Sequence, residues 1–317
     1  MASCNAYPAA AKGIEKRTSM NSRIAIARIR HLISVIAMGV VSVTVAAQDA
    51  PKPADPASPP VAPPPTPPAA TQPTVPRTDL PAAKDILNKC IEAMGGEKAF
   101  DEMKSSVIKA TFTNPMGEAK IEMYWMKPNK VFIKQAMQGM ESTMGSDGTV
   151  SWMRTPMDTT ILDPEQAKDL QDQSNMFRMV IRIRDDATEL ATVDQVKFNE
   201  FDCYKIRATD KNGQAQFALF DVKDHLIRGL ETDEAGQGPA TVKFSEWKED
   251  AGIKYFTKVE IERMGMAMPL VFDEVKFNTL DETTFALPDD IKAMLKDKDD
   301  GAASKPATTN PAGPGGH

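Results

Sequence analysis

From residue 108 onward, apolar and polar side chains alternate with a period of two. Ile108, Ala110 and Phe112 alternate with Lys109 and Thr111. Because successive side chains of a strand point to opposite faces, the pattern predicts an antiparallel sheet with one buried (dry) face and one solvent-exposed face. Similar runs bring the expected count to about ten strands: Ala119–Trp125, Val131–Ala136, Val150–Met153, Val196–Phe198, Tyr204–Ala208, Ala215–Phe220, Val242–Trp247, Phe256–Ile261 and Leu270–Phe277.

Turn signals separate these runs. Asn114-Pro115 precedes Gly117, and Asp147-Gly148 lies between two apolar stretches. Such residues favour the tight turns of hairpins, where positive φ angles are common. The strands are therefore expected to follow one another as a meander in a single continuous sheet.

Helical patterns precede and interrupt the strands. Asp79 is a candidate cap and Pro81 a first-turn residue of an opening helix that Gly95-Gly96 would end. A short helix is expected around Phe100, and a helical insertion is expected over residues 163–179. One face of the opening helix is apolar, which predicts that it covers the dry face of the sheet; this face comprises Ile86, Leu87, Cys90, Ile91 and Met94.

The ends of the chain differ in composition from its centre. Residues 1–47 contain a basic stretch, an apolar run over residues 32–45 and small residues up to Ala47, which predicts a signal peptide, with Met20 as the expected start. Residues 48–78 are a proline-rich linker, expected to be extended and disordered. Residues 79–296 form the β-rich domain, and residues 297–317 are an expected disordered tail.

Composition argues against several classes of function. The net charge is −6 and no basic stripe crosses the folded part, which disfavours nucleic-acid binding. Beyond the leader, only His225 and His317 could serve a histidine-centred triad or zinc site, so no enzyme, metal or cofactor is predicted.

Cys90 and Cys203 could form a disulfide in an exported protein or remain two separate buried thiols.

Methionine is the residue type whose distribution gives the clearest indication of a ligand site. The chain contains 19 methionines, and Met264, Met266 and Met268 would share one face of a regular strand. Three interpretations are open: an adaptable lining for apolar ligands, ordinary core filling, or a thioether copper(I) site. A second group lies in the first half of the domain and comprises Met123, Met126, Met137, Met140, Met144, Met153 and Met157.

Four short segments resemble the LolA/LolB-like superfamily of periplasmic lipoprotein carriers and receptors. They are Tyr124–Val131, Ser146–Trp152, Phe277–Asp281 and Phe285–Pro288, and the likeness spans roughly residues 82–291. The resemblance implies an α+β fold with one strongly curved antiparallel sheet, an incomplete barrel. Its concave apolar face would be covered by helices and hold acyl chains.

Pattern and resemblance together predict a soluble periplasmic, or otherwise exported, carrier that binds lipid or the acyl chains of an acylated protein. The alternative is a cell-envelope sensor or interaction module that uses the same fold to recognise a protein partner. Residues 170–177 would form a lid over the ligand. The predicted lining is Met123, Trp125, Met140, Trp152, Leu170, Phe177, Met266 and Met268.

Overall fold

The computed structural model describes residues 77–234 and 238–303. For Gln173, Asp233, Glu234 and residues 297–303 it describes the backbone only. The predicted signal peptide, most of the linker and most of the tail lie outside these ranges. The strands are β1 Ser105–Asn114, β2 Gly117–Met126, β3 Lys130–Met137, β4 Met140–Ser146, β5 Ser151–Arg154, β6 Thr159–Ile161, β7 Glu189–Phe198, β8 Phe201–Thr209, β9 Ala215–Asp221, β10 Ile227–Glu234, β11 Gly238–Asp250, β12 Ile253–Arg263 and β13 Met266–Phe277.

These strands form one antiparallel sheet in the order β6-β5-β4-β3-β2-β1-β13-β12-β11-β10-β9-β8-β7. The single sheet is confirmed, and it is open, because β6 and β7 are its two edges. The expected count of about ten is too low: the described residues form 13 strands. The pattern missed β4, β6 and β10, which are short or place small and charged residues on both faces.

Five α-helices accompany the sheet in the described part of the chain. They are α1 Ala83–Ala93, α2 Gly96–Glu102, α3 Pro164–Gln173, α4 Met179–Asp186 and α5 Asp289–Ala303, with 3₁₀ turns at Met176–Arg178 and Glu282–Phe285. The prediction that Asp79 caps the opening helix is wrong. The N-cap is Ala82, and the Asp79 carboxylate instead pairs with Arg77, which removes it from the helix end.

Cross-strand pairing defines an inner face of the sheet. Ile133 on β3 lies opposite Met123 on β2 and Met144 on β4, and Met144 lies opposite Met153 on β5. All side chains directly opposite one another share a face. Helices α1 and α4 pack on the inner face, where they and the strands bury one continuous apolar core.

The two cysteines are both buried as free thiols, so the disulfide alternative is not formed. Cys90 packs in the inner core and its Sγ donates to Met94 Sδ at 3.8 Å. Cys203 precedes Tyr204, which packs against the inner core, so the Cys203 side chain points to the outer face. Burial raises the pKa of each thiol to about 12, which leaves them as small apolar groups.

Candidate functional site

The helical cover is anchored at one end of the inner face by aromatic packing. Phe177 is 1% exposed, and its ring lies edge-on to Tyr255 at 5.5 Å and to Phe277 at 5.2 Å between centroids. Helix α4 continues from this anchor with four buried apolar side chains: Met179, Val180, Ile181 and Ile183. This part of the cover is therefore firmly attached.

Helix α3 is attached more loosely. It lies beside β3, β4 and β5, and Leu170 is its one apolar side chain in the core cluster. Two hydrogen bonds of Gln171 also hold it: its Nε2 donates to Ser146 Oγ at 2.9 Å, and its Oε1 accepts from Asn129 Nδ2 at 3.3 Å. An element held by few apolar contacts opens at low cost, so α3 is the natural movable part of the cover.

The start of α3 is fixed by a capping box. Asp163 accepts hydrogen bonds from the backbone N–H groups of Glu165 and Gln166, and the Gln166 side chain accepts from the Asp163 N–H. Pro164 occupies the first turn, where its missing N–H costs nothing. These local bonds keep α3 helical despite its small buried area.

Replacing Asp163 with alanine is expected to destabilise α3 by about 1 kcal/mol, because two backbone donors lose their acceptor. Hydrogen exchange should report roughly fivefold faster exchange in α3, while α4 remains unchanged. Asp281→Ala is the matched control, since it removes a similar bond to the Thr283 N–H in another segment. Equal exchange in α3 for wild type and Asp163→Ala would contradict this account of the cover.

Five exposed methionines mark one end of the sheet. Met116 lies in the β1–β2 turn and Met157 in the β5–β6 turn, while the other three flank the β3–β4 and β12–β13 turns. Alternate turns of a meander share an end, and the pairing of Phe112 with Leu270 places the start of β13 at this same end. We call the group the methionine rim; its members, 46–85% exposed, are Met116, Met140, Met157, Met264 and Met266.

The structure brings together some of the predicted lining residues and separates others. Met123, Trp125, Leu170 and Phe177 join one inner core cluster, and Met268 packs against it. Met140 and Met266 belong to the exposed methionine rim.

Trp152 lies apart from the other predicted lining residues. Its ring contacts Phe132, 6.1 Å away between centroids, and Phe132 alternates with the inward-pointing Val131 and Ile133. Trp152 therefore faces the outer side of the sheet, and the sheet separates it from Trp125.

The sequence pattern did not predict which polar groups are buried within the helical cover. Arg182 Nη1 donates to the Asn175 carbonyl oxygen at 2.6 Å, and burial lowers the pKa of Arg182 to about 10, opposed by Asp186 and Asp172. Burial likewise raises the pKa of Asp186. The buried side-chain amide of Asn175 has no hydrogen-bond partner among the described residues. Amphipathic periodicity alone cannot locate such groups, because their burial depends on how α3 and α4 are placed.

The described residues contain no group of three or more histidine, cysteine, aspartate or glutamate side chains arranged to hold a metal ion. Within residues 77–234 and 238–303, the helices are too short or too polar to cross a membrane. The fold and site define an open antiparallel sheet with a helix-covered apolar face and a methionine-fringed end.

No family model and no curated protein matches the chain. Solved structures of similar fold include a LolA superfamily protein from Nitrosomonas europaea, 13% identical, with 66% of this chain and 99% of that chain covered and a TM-score of 0.47. A DUF1329 family protein from Desulfovibrio piger is 15% identical over 65% and 97% of the two chains, with a TM-score of 0.48. MucB in complex with MucA(peri) is 13% identical over 65% and 60%, with a TM-score of 0.21. The first of these structures bears the name of the superfamily that the four sequence segments resemble.

Proposed function

We propose that the protein is a binding protein, not an enzyme, and that it holds the acyl chain of a lipid or acylated protein on the inner face under α3. The observation that carries the proposal is the concentration of methionine on the inner face of β2–β5. Met140 on the rim lies opposite Met137, which packs against the core. In a separate cross-strand row lie Met153, Met144 and Met123, with Ile133 between Met144 and Met123. Flexible thioethers adapt to chains of varied shape.

The loosest part of the cover lies over this methionine row. Helix α3 contacts the strands that carry Met144 and Met153, and Leu170 is its one contribution to the core cluster. A ligand that displaced α3 would find apolar side chains below it without disturbing the Phe177 anchor. The proposed entry therefore lies between α3 and β3–β5, with the methionine rim at its open end.

Burial of the acyl chain sets the scale of the binding free energy. Burying about ten methylenes contributes roughly 8 kcal/mol, since each is worth about 0.8 kcal/mol. That equals the free energy of a micromolar dissociation constant before association costs are subtracted. Long or paired acyl chains are therefore the ligand class that this apolar surface favours over short apolar molecules.

Replacing Met144 with aspartate is expected to weaken binding of a fluorescent fatty acid by at least about tenfold, because a carboxylate must then be desolvated beside the acyl chain. Met144 is only partly buried, so the domain should still fold. Fluorescence titration measures the affinity, and circular dichroism checks the fold. Val271→Asp, at an exposed position on the outer face of β13, is the control with the same charge change. Equal affinity for Met144→Asp and wild type would contradict the proposed site.

The exported location stays a proposal that rests on the leader-like sequence of residues 20–47. The alternative function, an envelope sensor that recognises a protein partner, also stays a prediction. Copurification of one stoichiometric protein without lipid would favour it.

A further inference from the structure

A cavity lies on the outer face of the sheet, separated from the proposed acyl site by the strands. Its volume is about 490 Å³, and part of its wall is the segment Thr284–Pro288, which precedes α5. Three aromatic side chains from three strands form its floor. The Tyr124 and Phe132 rings lie 5.8 Å apart between centroids, and Phe132 and Trp152 lie 6.1 Å apart.

Gly145 makes this aromatic row possible. It lies on β4 between Phe132 on β3 and Trp152 on β5, directly opposite both. A Cβ at this position would lie 2.9 Å from the Trp152 ring, too close for any other residue without displacement of the indole. The absent side chain therefore lets the Trp152 ring lie across β4 and reach Phe132.

Polar groups surround the aromatic row, and one of them is unused. Tyr124 Oη donates to Glu122, and Arg154 lies over the Trp152 ring while pairing with Asp290. Thr143 also lines the cavity, is 7% exposed, and its hydroxyl has no hydrogen-bond partner among the described residues. A buried hydroxyl without a partner costs about 1–3 kcal/mol, so a ligand that accepts its hydrogen bond gains stability there.

The partly exposed rings of Tyr124 and Phe132, beside the unpartnered Thr143 hydroxyl, suit a polyproline II segment, while Trp152, 4% exposed, lies below and supports Phe132. Such a segment packs its proline rings between aromatic side chains, and its carbonyl groups have no internal partners. This chain carries its own candidate: twelve prolines lie between Pro51 and Pro76, with the PxxP spacing at Pro53–Pro56 and Pro56–Pro59. We propose that the outer-face cavity binds Pro51–Pro60 of the same chain.

The reach of the chain permits this contact. The described part begins at Arg77, whose N–H donates to Thr192 O on edge strand β7. Nine strand steps separate β7 from β3, a path of about 43 Å along the sheet. In polyproline II geometry, Pro51–Pro60 lies about 53–80 Å of contour from Arg77.

Tethering also raises the effective concentration of Pro51–Pro60 at the cavity to about millimolar, which saturates even a weak site and favours this segment over an untethered ligand.

The test uses the full-length chain with 5-fluorotryptophan at its three tryptophans and a nitroxide attached at Ser58→Cys in a Cys4→Ser background. Cys90 and Cys203 are fully buried and should stay unlabelled. The expected result is selective paramagnetic loss of the Trp152 fluorine signal, with the Trp125 and Trp247 signals as internal references. Pro53→Ala, Pro56→Ala and Pro59→Ala together should restore the Trp152 signal without touching the folded domain.

A Trp152 signal no more broadened than those of the other two tryptophans would overturn the proposal. Equal broadening of the Trp152 signal in the chain with the three proline-to-alanine substitutions would also overturn it. So would broadening of the Trp152 signal when spin-labelled chains are mixed with separate fluorinated chains, because the contact would then be intermolecular.

Thr143→Val provides a second test within the cavity. It removes an unpartnered hydroxyl, so an unchanged stability with a recovered Trp152 signal is expected, whereas unchanged broadening would contradict the role of Thr143.

Discussion

Replacing Phe177 with alanine is expected to lower the free energy of unfolding by about 3–5 kcal/mol, as for other fully buried phenylalanines. The ring contacts Tyr255 and Phe277 edge-on, and no other aromatic side chain of the described cover takes part in these ring contacts. The variant loses the apolar burial of the ring and leaves a cavity where the cover joins the sheet. Urea denaturation followed by circular dichroism measures the change.

The control for this prediction is Met157→Ala, because Met157 is exposed at a turn and its loss should change stability by less than about 0.5 kcal/mol. A loss below about 1 kcal/mol in Phe177→Ala would mean that the ring is not buried in solution as the structure places it.

Replacing Arg228 with methionine is expected to cost about 3–5 kcal/mol at neutral pH, because it leaves a buried carboxylate unpaired. The side chains of Arg228 and Asp221 are 9% and 5% exposed. Arg228 donates from Nε and Nη2 to one oxygen of Asp221, at 3.2 and 2.9 Å, and its Cζ lies 3.9 Å from the Phe201 ring centroid. The double variant Arg228→Met with Asp221→Leu, which removes both charges, should recover much of the loss.

The pH dependence of this effect has a definite sign. Burial raises the pKa of Asp221, but hydrogen bonds from the Lys223 N–H and from Arg228 outweigh it, so the net pKa lies below the ordinary value. A depressed carboxyl pKa stabilises the fold above its unfolded value of about 3.9, and this contribution is lost as the pH falls through the folded pKa. The stability difference between wild type and Arg228→Met should therefore shrink in acid. A difference that stays constant from neutral to acid pH would contradict the pairing.

Much of the sheet could be predicted because period-two alternation has one main physical cause, a sheet with one buried face. The runs around Ile108 and Met123 showed it clearly, and both belong to the inner face. Strand β4 escaped prediction because its inner Ser142 and Ser146 are as polar as its outer Thr143, so its burial comes from neighbours, not from its own pattern.

The site was only partly predictable for a related reason. Val150, Trp152 and Met153 offer apolar side chains to both faces, so alternation could not assign Trp152 to the inner or outer side. What decides its side is Gly145 on the next strand, which leaves space for the indole. The methionine rim likewise depends on which turns share an end of the sheet, and that follows from the pairing of β1 with β13 across most of the sequence.

Native mass spectrometry, followed by solvent extraction, on protein purified from the exporting compartment would show whether an acyl chain occupies the inner face. Wild type and Val271→Asp are expected to carry copurified phospholipid or an acylated peptide, and Met144→Asp is expected to lack it. A wild-type protein of bare mass that also fails to bind added fluorescent fatty acid would contradict the account.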